Sequence, residues 1–189
     1  MSIINRITVF CSVSAGADPA YLAAARELGA ALAERDITLV YGGSGQGMAG
    51  KLARAALEGG GKIIGVMPRF LVERGLAFDQ VSDLRVAEDL HAHKAIFAEL
   101  GDGFIAPPGG LGTLEEFMEI FTWAQLGLHH KPCGLLNVNG YYDKLISFLD
   151  QMRDDRFITS TVRDSLLIAE KPDALLNLFD KFYEDQANP

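Results

Sequence analysis

Short apolar runs and longer amphipathic stretches alternate along the whole chain. Runs at 7–11, 37–41, 63–67, 84–87, 103–106, 133–137 and 165–169 are apolar or β-branched with little alternation. That is the pattern of strands covered by helices on both faces of a parallel sheet. Between them, apolar positions recur at helical spacing over about 19–34, 48–59, 89–100, 113–127 and 141–154, with a last helix at 172–184. In the first of these, Ala25, Leu28 and Leu32 form an apolar stripe beside one through Leu22, Arg26, Gly29 and Ala33. Repeated β–α units with right-handed crossovers predict an α/β fold, a doubly wound parallel sheet with helices on both faces. No linker, repeat or low-complexity tract divides residues 1–189, which read as a single domain. Ligands of such sheets bind outside the carboxyl ends of the strands.

Composition narrows the functional classes. The formal net charge of −8 and a pI near 4.9 argue against a general electrostatic grip on nucleic acid or an anionic membrane. An anion site would have to be built from backbone dipoles and a few basic side chains. No run approaches the roughly 20 apolar residues that cross a bilayer. The run Ile7-Thr8-Val9-Phe10-Cys11 reads as a first strand and not a signal peptide, so the expected compartment is the cytoplasm. Cys11 and Cys133 both lie in apolar runs and read as small buried residues carrying free thiols. No cofactor or metal is expected: His91 and His93 diverge around a helix axis and do not make a ligand pair.

The most telling segment is Pro108-Gly109-Gly110-Leu111-Gly112-Thr113-Leu114-Glu115-Glu116, between an apolar run and an amphipathic stretch. Three glycines at a strand-to-helix turn bring bare N–H groups to a ligand, and a helix N-terminus favours an anion. Two carboxylates are expected in the first turn. A plainer account is a capping box, in which Thr113 and Glu116 satisfy N–H groups at the helix start. A second turn, Gly42-Gly43-Ser44-Gly45-Gln46-Gly47-Met48-Ala49-Gly50, holds a G-x-G-x-x-G match after the second strand instead of the first. It reads as a second wall of a mononucleotide pocket, with close helix–strand packing as the alternative. Arg69 leaves an NADP reading open.

At this point the chain resembles the LOG ("lonely guy") proteins, cytokinin riboside 5′-monophosphate phosphoribohydrolases. The likeness rests on the nine residues just quoted. It is supported by Val9-Phe10-Cys11-Ser12-Val13-Ser14, Leu39-Val40-Tyr41-Gly42-Gly43, Ile64-Gly65-Val66-Met67-Pro68, Thr122-Trp123-Ala124-Gln125-Leu126-Gly127 and Lys131–Tyr142. The resemblance implies a Rossmann-like fold, a homodimer, and hydrolysis of the N-glycosidic bond of an AMP-like nucleoside 5′-monophosphate to free base and ribose 5-phosphate. It implies a phosphate held by Gly109, Gly110, Gly112 and Thr113, with Glu116 as the catalytic carboxylate and Glu115 at the sugar or phosphate end. Further substrate contacts are expected at Ser14, Gly43, Ser44, Gly47, Lys94 and Thr122. The label "possible lysine decarboxylase" often given to such proteins finds no pyridoxal-phosphate lysine motif here.

Two positions depart from the family pattern. His93, in Leu90-His91-Ala92-His93-Lys94, stands where the family carries an arginine thought to work with the glutamate. Gly75 stands where an acid is usual, with Phe78 in a histidine's place and Glu73 two residues away. Histidine carries a single switchable charge, so that exchange is not conservative. Three readings follow: hydrolysis with His93 as a second catalytic residue, action on another phosphoribosyl compound, or a nucleotide- or cofactor-binding carrier on the same fold. His91 reads as a packing or supporting residue, and His129-His130 as a surface loop. The helix at 113–127 carries more apolar surface than one sheet-facing stripe needs, which suggests a partner subunit.

Overall fold

The computed structural model describes residues 4–187. In chain order the elements are β1 (Arg6–Val9), α1 (Pro19–Glu34), β2 (Thr38–Tyr41), α2 (Gly47–Glu58), β3 (Ile63–Pro68), α3 (Arg69–Val72), β4 (Asp83–Ala87), α4 (Leu90–Leu100) and β5 (Gly103–Ala106). There follow α5 (Leu111–Gln125), β6 (Cys133–Leu136), α6 (Asp143–Asp154), α7 (Ser160–Asp164), β7 (Leu166–Ala169) and α8 (Pro172–Ala187). The strands form one seven-stranded sheet in the order β4-β3-β2-β1-β5-β6-β7. Every pairing is parallel, so the expected doubly wound α/β sheet is present. All seven expected strands and all six expected helices appear. The short helices α3 and α7 were not expected, because neither is long enough to repeat an apolar stripe.

Alternate strand residues supply two separate cores. Ile7, Val9, Leu39, Tyr41 and Ile105 pack with α1, α2 and α8 through Leu28, Leu52 and Phe179. Phe10, Val40, Phe104 and Ala106 pack on the other face with Phe97 of α4, Phe117 and Ile120 of α5 and Leu149 of α6. Burial on both faces explains why the strands read as apolar without alternation. Helix starts follow local chemistry: Asp18 caps α1 by accepting from Ala20 N–H, with Pro19 at the first helical position. Asp89 likewise accepts from Ala92 N–H at 2.8 Å to start α4.

Strand order reverses between β1 and β5. The loops leaving these two neighbours run to opposite sides, opening a crevice at their carboxyl ends. Both glycine-rich turns lie at this end of the sheet.

The α1–α2 contact depends on the absence of a side chain at Gly29. A Cβ there would lie 2.3 Å from the Leu52 carbonyl oxygen and 3.0 Å from Ala55 Cβ. Gly29→Ala therefore forces two helix backbones apart and should lower stability by about 2 kcal/mol. Denaturant unfolding checks this, and an unchanged midpoint would contradict it.

Candidate active site

The turn after β5 forms one wall of the crevice. Gly110 is the residue before the first turn of α5, and no side chain caps the helix start. Leu114 N–H is the first to find a carbonyl within the helix, that of Gly110 at 3.1 Å. The amides of Leu111, Gly112 and Thr113 precede it and are the orphan donors of a helix N-terminus. A Cβ at Gly110 or Gly112 would meet nothing within 4 Å, and neither residue has a positive φ. The chain's own packing thus does not require glycine at either position. A side chain there would instead fill the space that the amides face. Gly109 differs, because its Cβ would strike Thr113 Oγ1 at 2.2 Å.

The expected capping box is absent. The helix begins two residues earlier than the sequence suggested, which puts Thr113 at its third position, buried beneath Gly109. Glu115 and Glu116 fall in the second turn, and no acid stands in the first. This removes the repulsion that a first-turn carboxylate would exert on a phosphate.

Glu116 reaches a cavity of about 280 Å³ that Ser12, Gly42, Gly110, Gly112 and Thr113 also line, with His93 and Phe97 on its α4 side. His93 is buried, and its Nε2 lies 2.9 Å from the Val66 carbonyl oxygen. A carbonyl only accepts, so Nε2 carries the proton. Burial holds the His93 pKa below its ordinary value, leaving Nδ1 as a lone pair near neutrality. That nitrogen is buried without a hydrogen-bond partner, 3.7 Å from Glu116 Oε1. Burial first, then the neighbouring Glu115 charge, pushes Glu116 up to about 7, against the opposing pull of Lys94. The contact is therefore a neutral histidine facing a carboxyl group poised between its two protonation states, and not an ion pair.

The expected roles of Lys94 and Glu115 need correction. Lys94 is buried and its Nζ pairs with both Glu115 and Glu119. It clamps α4 to α5 and does not line the cavity. Glu115 is engaged by that clamp and does not line the cavity. Thr122 lies exposed two turns further along α5, its hydroxyl donating to the Met118 carbonyl at 2.7 Å. Within one chain it is remote from the cradle.

Much of the second glycine turn serves packing. Amides of Met48 and Ala49 donate to the carbonyls of Ser14 and Ser12 at 3.3 and 2.9 Å, so two of the amides at the α2 N-terminus are already engaged. Gly47 has φ +53°, and its Cβ would lie 2.1 Å from the Val13 carbonyl oxygen. Gly43, at φ +75°, takes Phe78 N–H on its carbonyl, and Ser44 Oγ accepts from Gln46 N–H at 3.2 Å. Gly43, Ser44 and Gly47 thus shape the loop and line neither cavity at the crevice. Ser14 does reach a second cavity of about 230 Å³, walled by Tyr21, Met48, Gly109, Gly110 and Tyr141. Sequence reasoning missed Ser12, which lines both cavities, and Gly42, where a Cβ would meet open space. Only the geometry separates Gly42 from Gly43 beside it.

Comparison with known proteins fits this geometry. A family described as "Possible lysine decarboxylase" matches residues 49–179. Over 181 residues, 96% of this chain and 85% of the relative, the sequence is 44% identical to the cytokinin riboside 5′-monophosphate phosphoribohydrolase LOG1 of Arabidopsis thaliana. The probable cytokinin riboside 5′-monophosphate phosphoribohydrolase LOGL6 of Oryza sativa subsp. japonica is also 44% identical, over 96% of this chain and 72% of the relative. The chain belongs to the LOG family. Among solved structures, the molybdenum cofactor binding protein of the phototrophic bacterium Rippkaea orientalis has the same fold. It superposes with a TM-score of 0.72 at 24% identity, over 94% of this chain and 96% of that one.

Both departures from the LOG pattern have a physical setting. Gly75 ends the turn after α3 at φ +70°, a conformation that favours glycine. Phe78 is buried against Gly45 with the Arg54 guanidinium 4.8 Å above its ring. Glu73 and Arg74 are exposed and do not line the cavity, so Glu73 does not replace the missing acid. Arg69 is engaged by Glu88, which weakens the NADP reading. His91 is exposed on α4 and does not support the site. His129 is half-buried, with Nε2 on the Ile120 carbonyl at 2.9 Å.

The raised Glu116 pKa has a stability consequence. Its folded value of about 7 lies above the ordinary 4.5, so the unfolded chain releases this proton first as pH rises. Below pH 4.5 the carboxyl is neutral in both states; between 4.5 and about 7 its burial becomes progressively unfavourable. Glu116→Gln should therefore stabilise the protein by ~2–3 kcal/mol above neutrality. That gain should vanish below pH 4.5. Unfolding curves across this range check the sign, and a pH-independent difference would contradict it.

Proposed function

We propose that this LOG-family protein hydrolyses the N-glycosidic bond of an AMP-like nucleoside 5′-monophosphate, releasing free base and ribose 5-phosphate. The observation that carries the proposal is Glu116 sharing one cavity with the uncapped N-terminus of α5. The amides of Gly110, Leu111, Gly112 and Thr113 hold the phosphate in the field of the helix dipole. Binding energy spent on that remote group positions the ribosyl carbon. As the C–N bond lengthens, positive charge grows on the sugar, and ionised Glu116 stabilises it and takes a proton from the attacking water. His93 works through Glu116: its Nδ1 accepts a hydrogen bond from the carboxyl that forms when Glu116 takes the water proton. That proton then goes to the departing base, so that water adds across the C–N bond and Glu116 returns to its ionised form. Lacking a charge near neutrality, His93 does not substitute for an arginine at the phosphate. Relatives named for this reaction, at 44% identity over most of the chain, support the reading.

Incubation with AMP and isopentenyl-AMP, with free base measured by chromatography, tests it. Base release should fall ~100-fold or more in Glu116→Ala. In the unaltered protein kcat/KM should rise with pH through about 7 and then level off, because the ionised carboxylate is the active form. AMP binding without release of base from any nucleotide would point instead to a carrier.

We also infer a homodimer acting in the cytoplasm. Burial pushes the thiols of Cys11 and Cys133 up to about 12, so neither is reactive, and both are free as a reducing compartment would keep them. The apolar residues that suggested a partner need revision. Phe117, Ile120 and Phe121 are buried in the chain's own core, with Leu114, Met118 and Trp123 packed against it. Exposed instead are Leu111 at 87%, Leu126 at 66% and Leu128 at 68%, at the two ends of α5, with Leu90 beginning the neighbouring α4. Such a face fits a second copy. Light scattering at micromolar concentration should show a dimer, and Leu126→Glu with Leu128→Glu should give a monomer. A monomeric unaltered protein would overturn the dimer.

A further inference from the structure

The cradle turn is glycine-rich and would adopt many orientations if nothing held it. What holds it comes from the connection between β6 and α6, about thirty residues away. Asn137 is buried at the start of that connection. Its Oδ1 accepts from Tyr142 N–H at 2.7 Å and its Nδ2 donates to Asp143 Oδ1 at 2.8 Å. Asn139, at φ +50°, donates from Nδ2 to Asp18 Oδ2 at 3.0 Å, tying the tip of the loop to the cap of α1. Two adjacent tyrosines then reach across to the cradle. Tyr141 donates its hydroxyl to the Gly109 carbonyl at 2.5 Å, and Tyr142 donates to the Pro107 carbonyl at 2.7 Å.

The two bonds do different things. A trans peptide is planar, with its C=O and N–H pointing in opposite directions, and no cis peptide occurs among the described residues. Fixing the Gly109 carbonyl on the Tyr141 side therefore turns the Gly110 N–H to the opposite side. Tyr141 walls the cavity of about 230 Å³, and Gly110 lines both it and the one holding Glu116. The Gly110 N–H is thereby turned away from the Tyr141 hydroxyl, and the second cavity that Gly110 lines is the one holding Glu116. The Pro107 carbonyl precedes Pro108, which has no N–H to aim. Tyr142 is almost fully buried and satisfies a buried carbonyl; its bond anchors the turn without orienting a donor.

We infer that Tyr141 is a positioning residue that directs the Gly110 N–H at the substrate phosphate, while Tyr142 only anchors the turn. The inference rests on the phosphate cradle proposed above. Tyr141→Phe keeps the ring, its edge-to-face contacts with Tyr21 and Tyr142 and the cavity wall, and deletes only the hydroxyl.

Calorimetric titration with ribose 5-phosphate tests the inference without requiring turnover. Tyr141→Phe should bind it roughly tenfold more weakly, with its unfolding midpoint little changed, as expected for one hydrogen bond at a half-exposed site. Tyr142→Phe should show the reverse, a lower unfolding midpoint with affinity within about twofold. In turnover of AMP, Tyr141→Phe should lower kcat/KM roughly tenfold, with part of the loss in kcat, because binding energy at the phosphate positions the ribosyl carbon. Unaltered affinity in Tyr141→Phe overturns the inference and leaves the cradle standing. Equal losses of affinity in both variants also overturn it, since the loop would then act only as a brace. If the unaltered protein binds neither ribose 5-phosphate nor inorganic phosphate, the cradle and the role of Tyr141 fall together.

Discussion

The site depends on one constraint, a helix whose first-turn amides have no partner among the described residues. A helix N-terminus in this position is satisfied by a side chain, by water or by a ligand. In α5 the cap residue is Gly110, which has no side chain to offer, and Gly112 adds none. By contrast, the Met48 and Ala49 amides in the first turn of α2, at the same end of the sheet, are taken by the carbonyls of Ser14 and Ser12. The chain thus closes one helix start and leaves its neighbour open. The open one stands beside the crevice where the strand order reverses, between β1 and β5.

The placement of charge follows from this. Three acids, Glu115, Glu116 and Glu119, lie on the helix whose N-terminus is proposed to hold a phosphate. Two of them are drawn off by Lys94 on α4, which is buried between them. Glu116 alone faces the cavity, where burial and the Glu115 charge keep its carboxyl near the midpoint of its titration. His93 offers a lone pair in place of a positive charge, so only the Lys94 charge opposes the rise of the Glu116 pKa. A carboxyl poised in this way can take up and give back a proton near neutrality.

Most of the framework was legible in the sequence because it rests on periodicity. Apolar strands and helical stripes gave every strand and each of the longer helices. The Pro108–Glu116 turn was legible as chemistry, but its geometry was misjudged by two residues, since capping signals do not locate a helix start when the cap is glycine. The second glycine turn is a cavity wall only in part: Gly42 and Met48 line the two cavities, while Gly43, Ser44 and Gly47 serve the loop and its packing. Glycines that serve a ligand and those that serve close packing look alike in one sequence, and only the space around each distinguishes Gly42 from Gly47. Lys94 and Glu115 were misplaced because a salt bridge between two helices leaves no local pattern. The Tyr141–Tyr142 brace was invisible for the same reason.

The central claim is that the α5 N-terminus holds a nucleotide phosphate with Glu116 beside the ribosyl bond. A crystal structure of Glu116→Gln with intact AMP tests it most directly. The account predicts the phosphate about 2.9 Å from the amides of Gly110, Gly112 and Thr113, with the anomeric carbon facing the residue at 116. A phosphate bound away from α5, or an anomeric carbon turned away from position 116, would contradict it.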